Sequence, residues 1–296
     1  MDLRQLEYVV AVADHGGFTA AARRVHVAQP SLSQSIRSLE TELGVELFAR
    51  LGRGVAITSA GEAVVDAARR VLREMAELSA VTAGVAQVES GRLDLVCLPT
   101  LAVEPLAGLI GRFRDRFPGV TIRVSEPEDV ATVEAQVQSG RAELGFTDVT
   151  TGGAGLQRVE LFRQEILAVC PPSTEVTDVA ITAAELASLP LIATPVGTST
   201  RRVLDRTISR TGSSPNIVVE ISHREAILPL VLAGAGTSLL PAPLAEQARL
   251  EGAVVRSLRP ALSRRIGILH RPGRLSPAAA AMLDLARERK GSDRKR

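Results

Sequence analysis

A chain of 296 residues, 45% hydrophobic and 23% charged with a formal charge of +2, is long enough for two or three domains with sizeable cores. Six Phe, one Tyr and no Trp make those cores aliphatic, and two cysteines with no CxxC pair exclude a disulfide framework and point to a reducing interior. The opening MDLRQLEYVV has no basic segment followed by an apolar one, and no stretch approaches about 18 uninterrupted apolar residues, so the expectation is a cytoplasmic chain without membrane contact.

Residues 1–58 read as compact helices followed by a small hairpin. Leu3, Leu6, Val10 and Ala13 recur at helical spacing, and Gly16-Gly17 ends that helix. Phe18-Thr19 opens a second short helix with Ala21, Ala22 and Val25 inward. Pro30 fits the first turn of a third helix, where its missing N–H costs nothing. There Leu32, Ile36, Leu39 and Leu43 form an apolar stripe, and Gly44 suits the C-terminal cap. Residues 47–57, LFARLGRGVAI, read as two short strands around Gly52-Arg53-Gly54. The segment is a helix, a helix–turn–helix and a basic wing.

A long helix is predicted from Ser59 to about Val88. Val64, Ala68, Val71, Met75, Leu78, Thr82 and Val85 step alternately by four and three, a heptad seam too narrow for an ordinary core helix. Such a seam predicts pairing with a second copy over residues 59–88; packing on its own chain is the alternative.

From residue 91 strands and helices alternate. The predicted elements are strand 93–98, helix Leu101–Phe117, strand Val120–Val124, helix Val130–Gln138 and strand 142–146. A second block follows with strands Ile166–Val169 and 191–193, helix Thr200–Arg210, strand Ile217–Glu220, helix Arg224–Leu232 and strand Thr237–Leu240. Strand Arg265–His270 and helix Pro277–Arg289 end the chain. This alternation predicts parallel sheets in two α/β lobes. The last ten residues, RERKGSDRKR, hold six basic and two acidic groups, which read as a solvated terminus, with loose contact to nucleic acid the alternative. Residues 1–90 hold 9 Arg against 11 Asp and Glu, so net charge does not by itself argue for DNA.

With its apolar stripe inward, the third helix turns Ser33, Gln34, Arg37, Ser38 and Thr41 outward. Such a face is usually only solvated. Next to a short preceding helix and a hairpin carrying Arg50 and Arg53, it suits a DNA major groove. There Gln pairs with adenine, Arg with guanine or phosphate, and the hairpin arginines hold the flanking backbone.

The run Phe18-Thr19-Ala20-Ala21-Ala22, His26-Val27-Ala28-Gln29-Pro30-Ser31-Leu32-Ser33, Ile36, Leu39-Glu40, Leu43-Gly44, Leu47-Phe48, Thr58 and Ala60-Gly61 resembles the winged helix–turn–helix of LysR-type transcriptional regulators. The segments from Arg112 to Val120 and from Val231 to Pro241 are similar to the family's effector domain, so the resemblance spans the chain. One position departs: Ala28 stands where the family usually has Ser or Thr, so the third helix lacks that capping hydroxyl.

The resemblance implies an N-terminal winged helix–turn–helix (1–58), a coiled-coil linker helix (59–90) and a two-lobed α/β effector domain (91–296) similar to type 2 periplasmic binding proteins. Lobe one is placed at 91–161 plus 268–296 and lobe two at 162–267, with crossovers near Leu161–Gln164 and Arg264–Gly267. The DNA-binding set is then Thr19, Gln29, Pro30, Ser31, Ser33, Gln34, Arg37, Arg50 and Arg53. Cleft ligands of such lobes sit where strands end and helices begin, because free N–H groups there favour anions. The effector-binding set is Pro99, Thr100, Leu101, Thr147, Asp148, Thr198, Ser199, Thr200 and His223, although the hydroxyls alternatively only cap helices. Thr200-Arg201-Arg202 adds two cations that either face the site or solvent.

The implied function is transcriptional regulation by a small effector, expected to carry a carboxylate, with double-stranded DNA of two-fold operator symmetry as partner. Self-association to a dimer and a tetramer is implied, and RNA polymerase is kept as a further partner. No cofactor, metal or catalytic residue is expected. The four histidines are scattered, and GxSxG, HExxH and phosphate-binding glycine loops are absent from the sequence. Cys97 and Cys170 each end an apolar strand and read as buried packing residues, not a peroxide-sensing pair. A solute-binding protein or an enzyme using the same cleft is the competing reading.

Overall fold

The computed structural model describes residues 1–50, 55–82, 91–150, 155–175 and 180–293. The hairpin tip with Arg53, the seam position Val85 and the last three basic residues lie outside them.

The first helices are α1 (Leu3–His15), α2 (Phe18–Arg24) and α3 (Gln29–Leu43). Asp2 and Gln5 cap α1 reciprocally: the Gln5 N–H donates to Asp2 Oδ1 at 2.8 Å and the Asp2 N–H to Gln5 Oε1 at 2.9 Å. Gly16 and Gly44 end α1 and α3 in the left-handed region, with φ of 67° and 70°. A core of Val9, Val12, Ala21, Ala22, Leu32, Ile36, Leu39, Leu47 and Phe48 fastens the three helices. Each fully buried aliphatic side chain contributes roughly 1.5–3 kcal/mol. Leu43 is a correction to the predicted stripe: it is 37% exposed at the last turn, where α3 has run past its neighbours.

Strands β1 (Phe48–Arg50) and β2 (Val55–Ile57) pair antiparallel as the wing. Glu40 of α3 accepts hydrogen bonds from the Leu47 and Phe48 N–H groups at 2.8 and 3.2 Å and ties the wing to the helix. Helix α4 (Ser59–Thr82) follows, its first turn held by Thr58, whose hydroxyl accepts from the Gly61 N–H at 2.9 Å. Val65 and Ala68 are buried, while Val71 and Met75 of the predicted seam are 43% and 39% exposed.

The second half begins with β3 (Gly91–Cys97), the single turn α5 (Pro99–Leu101), α6 (Ala107–Arg116), β4 (Val120–Ser125), α7 (Val130–Ser139) and β5 (Leu144–Asp148). The helix expected over Leu101–Phe117 is broken at Glu104, whose backbone is extended ahead of Pro105. Strand β6 (Gln157–Cys170) is far longer than the four residues predicted. Then come β7 (Ala180–Thr182), α8 (Ala183–Ser188), β8 (Leu191–Ala193), α9 (Ser199–Ser209) and β9 (Ile217–Glu220). The chain closes with α10 (Ile227–Leu232), β10 (Ser238–Pro241), α11 (Ala242–Leu250), β11 (Val254–Arg259), β12 (Leu262–His270) and α12 (Pro277–Asp293). The elements β7, α8, α11 and β11 have no counterpart in the sequence reading.

The expectation of parallel sheets holds only in part. β3 is parallel to β4 and β5, but β12 runs antiparallel to both β5 and β6, and β10 and β11 are antiparallel to β6. The sheet order is β4-β3-β5-β12-β6-β11-β7. β6 and β12 are paired along their length and run through two separate cores, because Leu161 and Ile268 pack in the first and Ile166 in the second. The C-terminal half is therefore two α/β lobes joined by one antiparallel ribbon.

Candidate functional site

Two places gather the polar residues singled out by the sequence. The first is the outer face of α3. Gln29, Pro30, Ser31, Gln34, Arg37, Ser38 and Thr41 are exposed, Ser33 is half-buried, and Thr19 stands exposed in the first turn of α2. Ala28 makes no side-chain cap, so the N–H groups opening α3 face outward without a hydroxyl. Arg50 closes β1 opposite Val55. One side chain is fixed on this face: the Thr41 hydroxyl donates to the Arg37 carbonyl at 2.9 Å.

The second place is the cleft between the lobes, and there the expected residues divide. Pro99, Thr100 and His223 line a cavity of about 770 Å³ on one side, while Asp148 and Ser199 line one of about 580 Å³ on the other. Leu101 is a correction, since its side chain is buried in the first core. Thr147 is fully buried, and its hydroxyl has no hydrogen-bond partner among the described residues. Thr198 caps α9: its hydroxyl accepts from the Arg201 N–H at 3.2 Å, donates to the Pro195 carbonyl at 2.9 Å and lies 2.6 Å from the Thr194 hydroxyl. Thr200 accepts from Arg224 Nη1 at 2.7 Å. His223 is exposed and pairs with Glu225 at 3.0 Å. Arg201 is taken up by Asp205 and Glu220 at 2.9 and 3.0 Å, so it serves the structure of lobe two, whereas Arg202 lines the smaller cavity.

The residue that dominates the cleft, Arg264, reads from the sequence only as the start of a crossover. Arg264, on β12 where the ribbon crosses between lobes, is only 6% exposed. Its Nε and Nη2 donate to Gln164 Oε1 on the facing strand at 2.8 and 2.6 Å, and Nη2 also donates to the Thr100 hydroxyl at 2.8 Å. Among the described residues no carboxylate lies within ion-pair distance, and Nη1 has no hydrogen-bond partner. Burial lowers this guanidinium to about 10, with Asp148 opposing the fall and Arg224 adding to it. It remains a cation at neutral pH, held by neutral groups.

The lobes also touch across the cleft mouth. The Ser199 N–H donates to the Glu128 carbonyl at 2.8 Å, Arg224 pairs with the Glu128 carboxylate, and Arg202 lies 3.9 Å from Asp129. Arg224 Nε is buried without a partner among the described residues. Glu128 and Asp129 come from lobe one and the other three from lobe two, so this contact bridges the lobes. The arrangement has cations, hydroxyls and a hinge.

The two cysteines stand apart from this site. Burial pushes the Cys97 thiol up to about 12, with Glu126 adding to the effect. Burial also raises Cys170, against a hydrogen bond with Thr237 and the charge of Arg256.

The family model for the bacterial regulatory helix–turn–helix protein of the lysR family matches residues 3–62, and that for the LysR substrate binding domain matches residues 86–291. A hydrogen peroxide-inducible genes activator of Escherichia coli O6:H1 is 32% identical over 276 residues, covering 92% of this chain and 90% of the relative. A full-length OxyR variant from Pseudomonas aeruginosa superposes with a TM-score of 0.80 at 22% identity, over 98% of this chain and 94% of that one. Full-length CbnR complexed with its target DNA superposes with a TM-score of 0.56 at 25% identity, over 98% of this chain and all of that one. An N-terminal helix–turn–helix, a C-terminal pair of lobes and two matching family models in that order identify the chain as a member of the LysR family of transcriptional regulators.

Proposed function

We propose that this regulator reads a two-fold DNA site with α3 and its wing, and that an anionic small molecule held between the lobes at Arg264 controls it. The observation that carries the effector half is a buried cation at the strand crossover with no carboxylate paired to it among the described residues. Burying an unpaired charge is costly, so a site that keeps one is suited to an anion that arrives later. A carboxylate can take Nη1 of Arg264 beside the Thr100 hydroxyl, touching lobe one and the crossover together. Effector binding shifts the lobes only as far as its affinity differs between open and closed states.

The DNA half rests on the exposed polar face of α3, with Thr19, Gln29, Pro30, Ser31, Ser33, Gln34 and Arg37 as contacts and Arg50 and Arg53 on the wing. Exposed Val71 and Met75 on α4 fit pairing of two copies, which places two α3 helices on a symmetric operator. The same pairing is extended to a tetramer, with RNA polymerase a further partner on the promoter. A peroxide response, as in the name of the similar activator, finds no support in two buried cysteines with raised thiol pKa values. The enzyme and solute-binding readings lose ground to the matched helix–turn–helix.

The test is a gel shift and footprint of the intact protein on the DNA upstream of its own reading frame, at two salt concentrations. A protected two-fold site whose affinity falls with salt is expected, because phosphate contacts release counterions. Absence of specific protection at both salts overturns the DNA half.

A further inference from the structure

The smaller cavity of the cleft is far more basic than a single carboxylate requires. Arg202, Arg206, Arg210, Arg259 and Arg264 line it, and among the described residues Asp148 is the one carboxylate in the lining. Asp148 accepts hydrogen bonds from the Thr150 N–H and hydroxyl. Arg202 and Arg206 on α9 and Arg210 at its C-terminal cap follow one another at intervals of four, so they share a face and repel one another. Arg206 and Arg210 are exposed and make no side-chain hydrogen bond or ion pair among the described residues. Arg259 feels the charge of Glu185, whose carboxylate is already held by Thr182. Eight residues separate Arg202 from Arg210, so the row spans about 12 Å along the cavity wall. Buried Arg264, with Nη1 open, stands in the same cavity at the crossover.

From this geometry we infer that the effector is a polyanion, bearing at least two phosphate or carboxylate groups, that enters from the α9 side. One anionic group reaches Arg264 and the others lie along Arg202, Arg206 and Arg210. The inference rests on the cleft-effector reading and specifies its ligand. A row of like charges on a merely solvated helix face needs no cavity and no buried cation at its end; here both are present. Arg202 also reaches toward Asp129 across the lobes, so a ligand that takes Arg202 couples its charge to lobe closure.

Isothermal titration of the full chain at fixed ionic strength tests this with four probes: citrate, inorganic pyrophosphate, acetate and benzoate. Citrate and pyrophosphate are expected to bind at least tenfold more tightly than the two monoanions, and whichever of them is tighter identifies carboxylate or phosphate as the preferred group. In R206Q/R210Q that preference is expected to fall at least tenfold, while R158Q/R163Q, on exposed β6 positions, keeps it. Equal affinity for all four probes, or an unchanged preference in R206Q/R210Q, overturns the polyanion assignment. Equal affinity for all four probes that disappears in R264Q would leave the cleft reading standing while this one falls. No binding of any probe overturns both.

Discussion

On α3, Gln34, Arg37 and Ser38 stand in solvent on a helix fixed from behind by Leu32, Ile36 and Leu39, which are fully buried. At the cleft the relation is reversed: Arg264 is itself buried, and Gln164 and Thr100 hold it in place. A rigid partner as large as a duplex can meet side chains that remain hydrated until contact, provided the helix beneath them does not move. A small molecule offers few contacts, so its site must be desolvated and oriented in advance. The difference makes the two regions separable by mutation.

Leu39→Ala has the largest expected effect. Deleting a fully buried Leu costs about 2–5 kcal/mol, which melts the N-terminal domain while the lobes stay folded. Calorimetry is expected to show one transition moved down and another in place; a single shifted transition would mean that the two regions unfold as one. Gly267→Ala strikes the ribbon instead. Its Cβ would lie 2.5 Å from the Val159 carbonyl oxygen, so the strands must part at about 1–3 kcal/mol, read as a lowered Tm with DNA binding by the N-terminal domain retained. Gly61→Ala is the matching change at the wing, where the Cβ would run into the Leu47 carbonyl oxygen.

Arg37→Ala and Gln34→Ala sharpen the comparison from the exposed side. Each is expected to cost about 1–3 kcal/mol of operator affinity without moving Tm, measured by titration on specific and scrambled duplexes. Asp129→Ala removes the cap of α7 and the neighbour of Arg202, at about 1 kcal/mol of stability. Burial opposes ionisation of Asp129, but hydrogen bonds from the Thr132 hydroxyl and from the Thr132 and Ala131 N–H groups, with the charge of Arg202, hold its pKa below the ordinary value. A depressed folded pKa stabilises above the unfolded value near ~3.9, and that contribution is lost as pH falls through the folded value. Acid titration of Tm is therefore expected to be shallower in the variant. The smallest effect is at Cys97: with its thiol pushed up to about 12, iodoacetamide at neutral pH should label it only after unfolding, as mass spectrometry would show.

Local patterns carried much of this into the sequence. The stripe Leu32, Ile36 and Leu39 is a helical period, Gly16 and Gly44 are residue types suited to left-handed caps, and Cys97 ends a run of apolar residues. Arg264 was legible as the start of a crossover but not as a site residue. It sits in a strand whose predicted start was Arg265, and its meaning arises from Gln164, 100 residues earlier, and Thr100, 164 earlier. The antiparallel course of β12 is likewise fixed by pairing with distant strands, which alternation of helix and strand does not report. Thr198 shows the opposite limit: its type and place fit ligand contact and capping equally, and only the bonds to Arg201 and Pro195 assign it to the cap.

The paired crossovers β6 and β12 leave the lobes few ways to move. Two strands joined by a ladder of backbone hydrogen bonds resist sliding, because a slip of one residue would turn every side chain to the other face. Torsion about a single thread is likewise denied to a ribbon two strands wide. What remains is flexure across the ribbon near Ile266 and Gly267, where the pairing register already shifts. On the proposed reading, occupancy of the cleft would be converted into an angle, and an angle grows into a displacement in proportion to distance from the pivot. The surfaces farthest from Arg264 would then travel the most for the same effector.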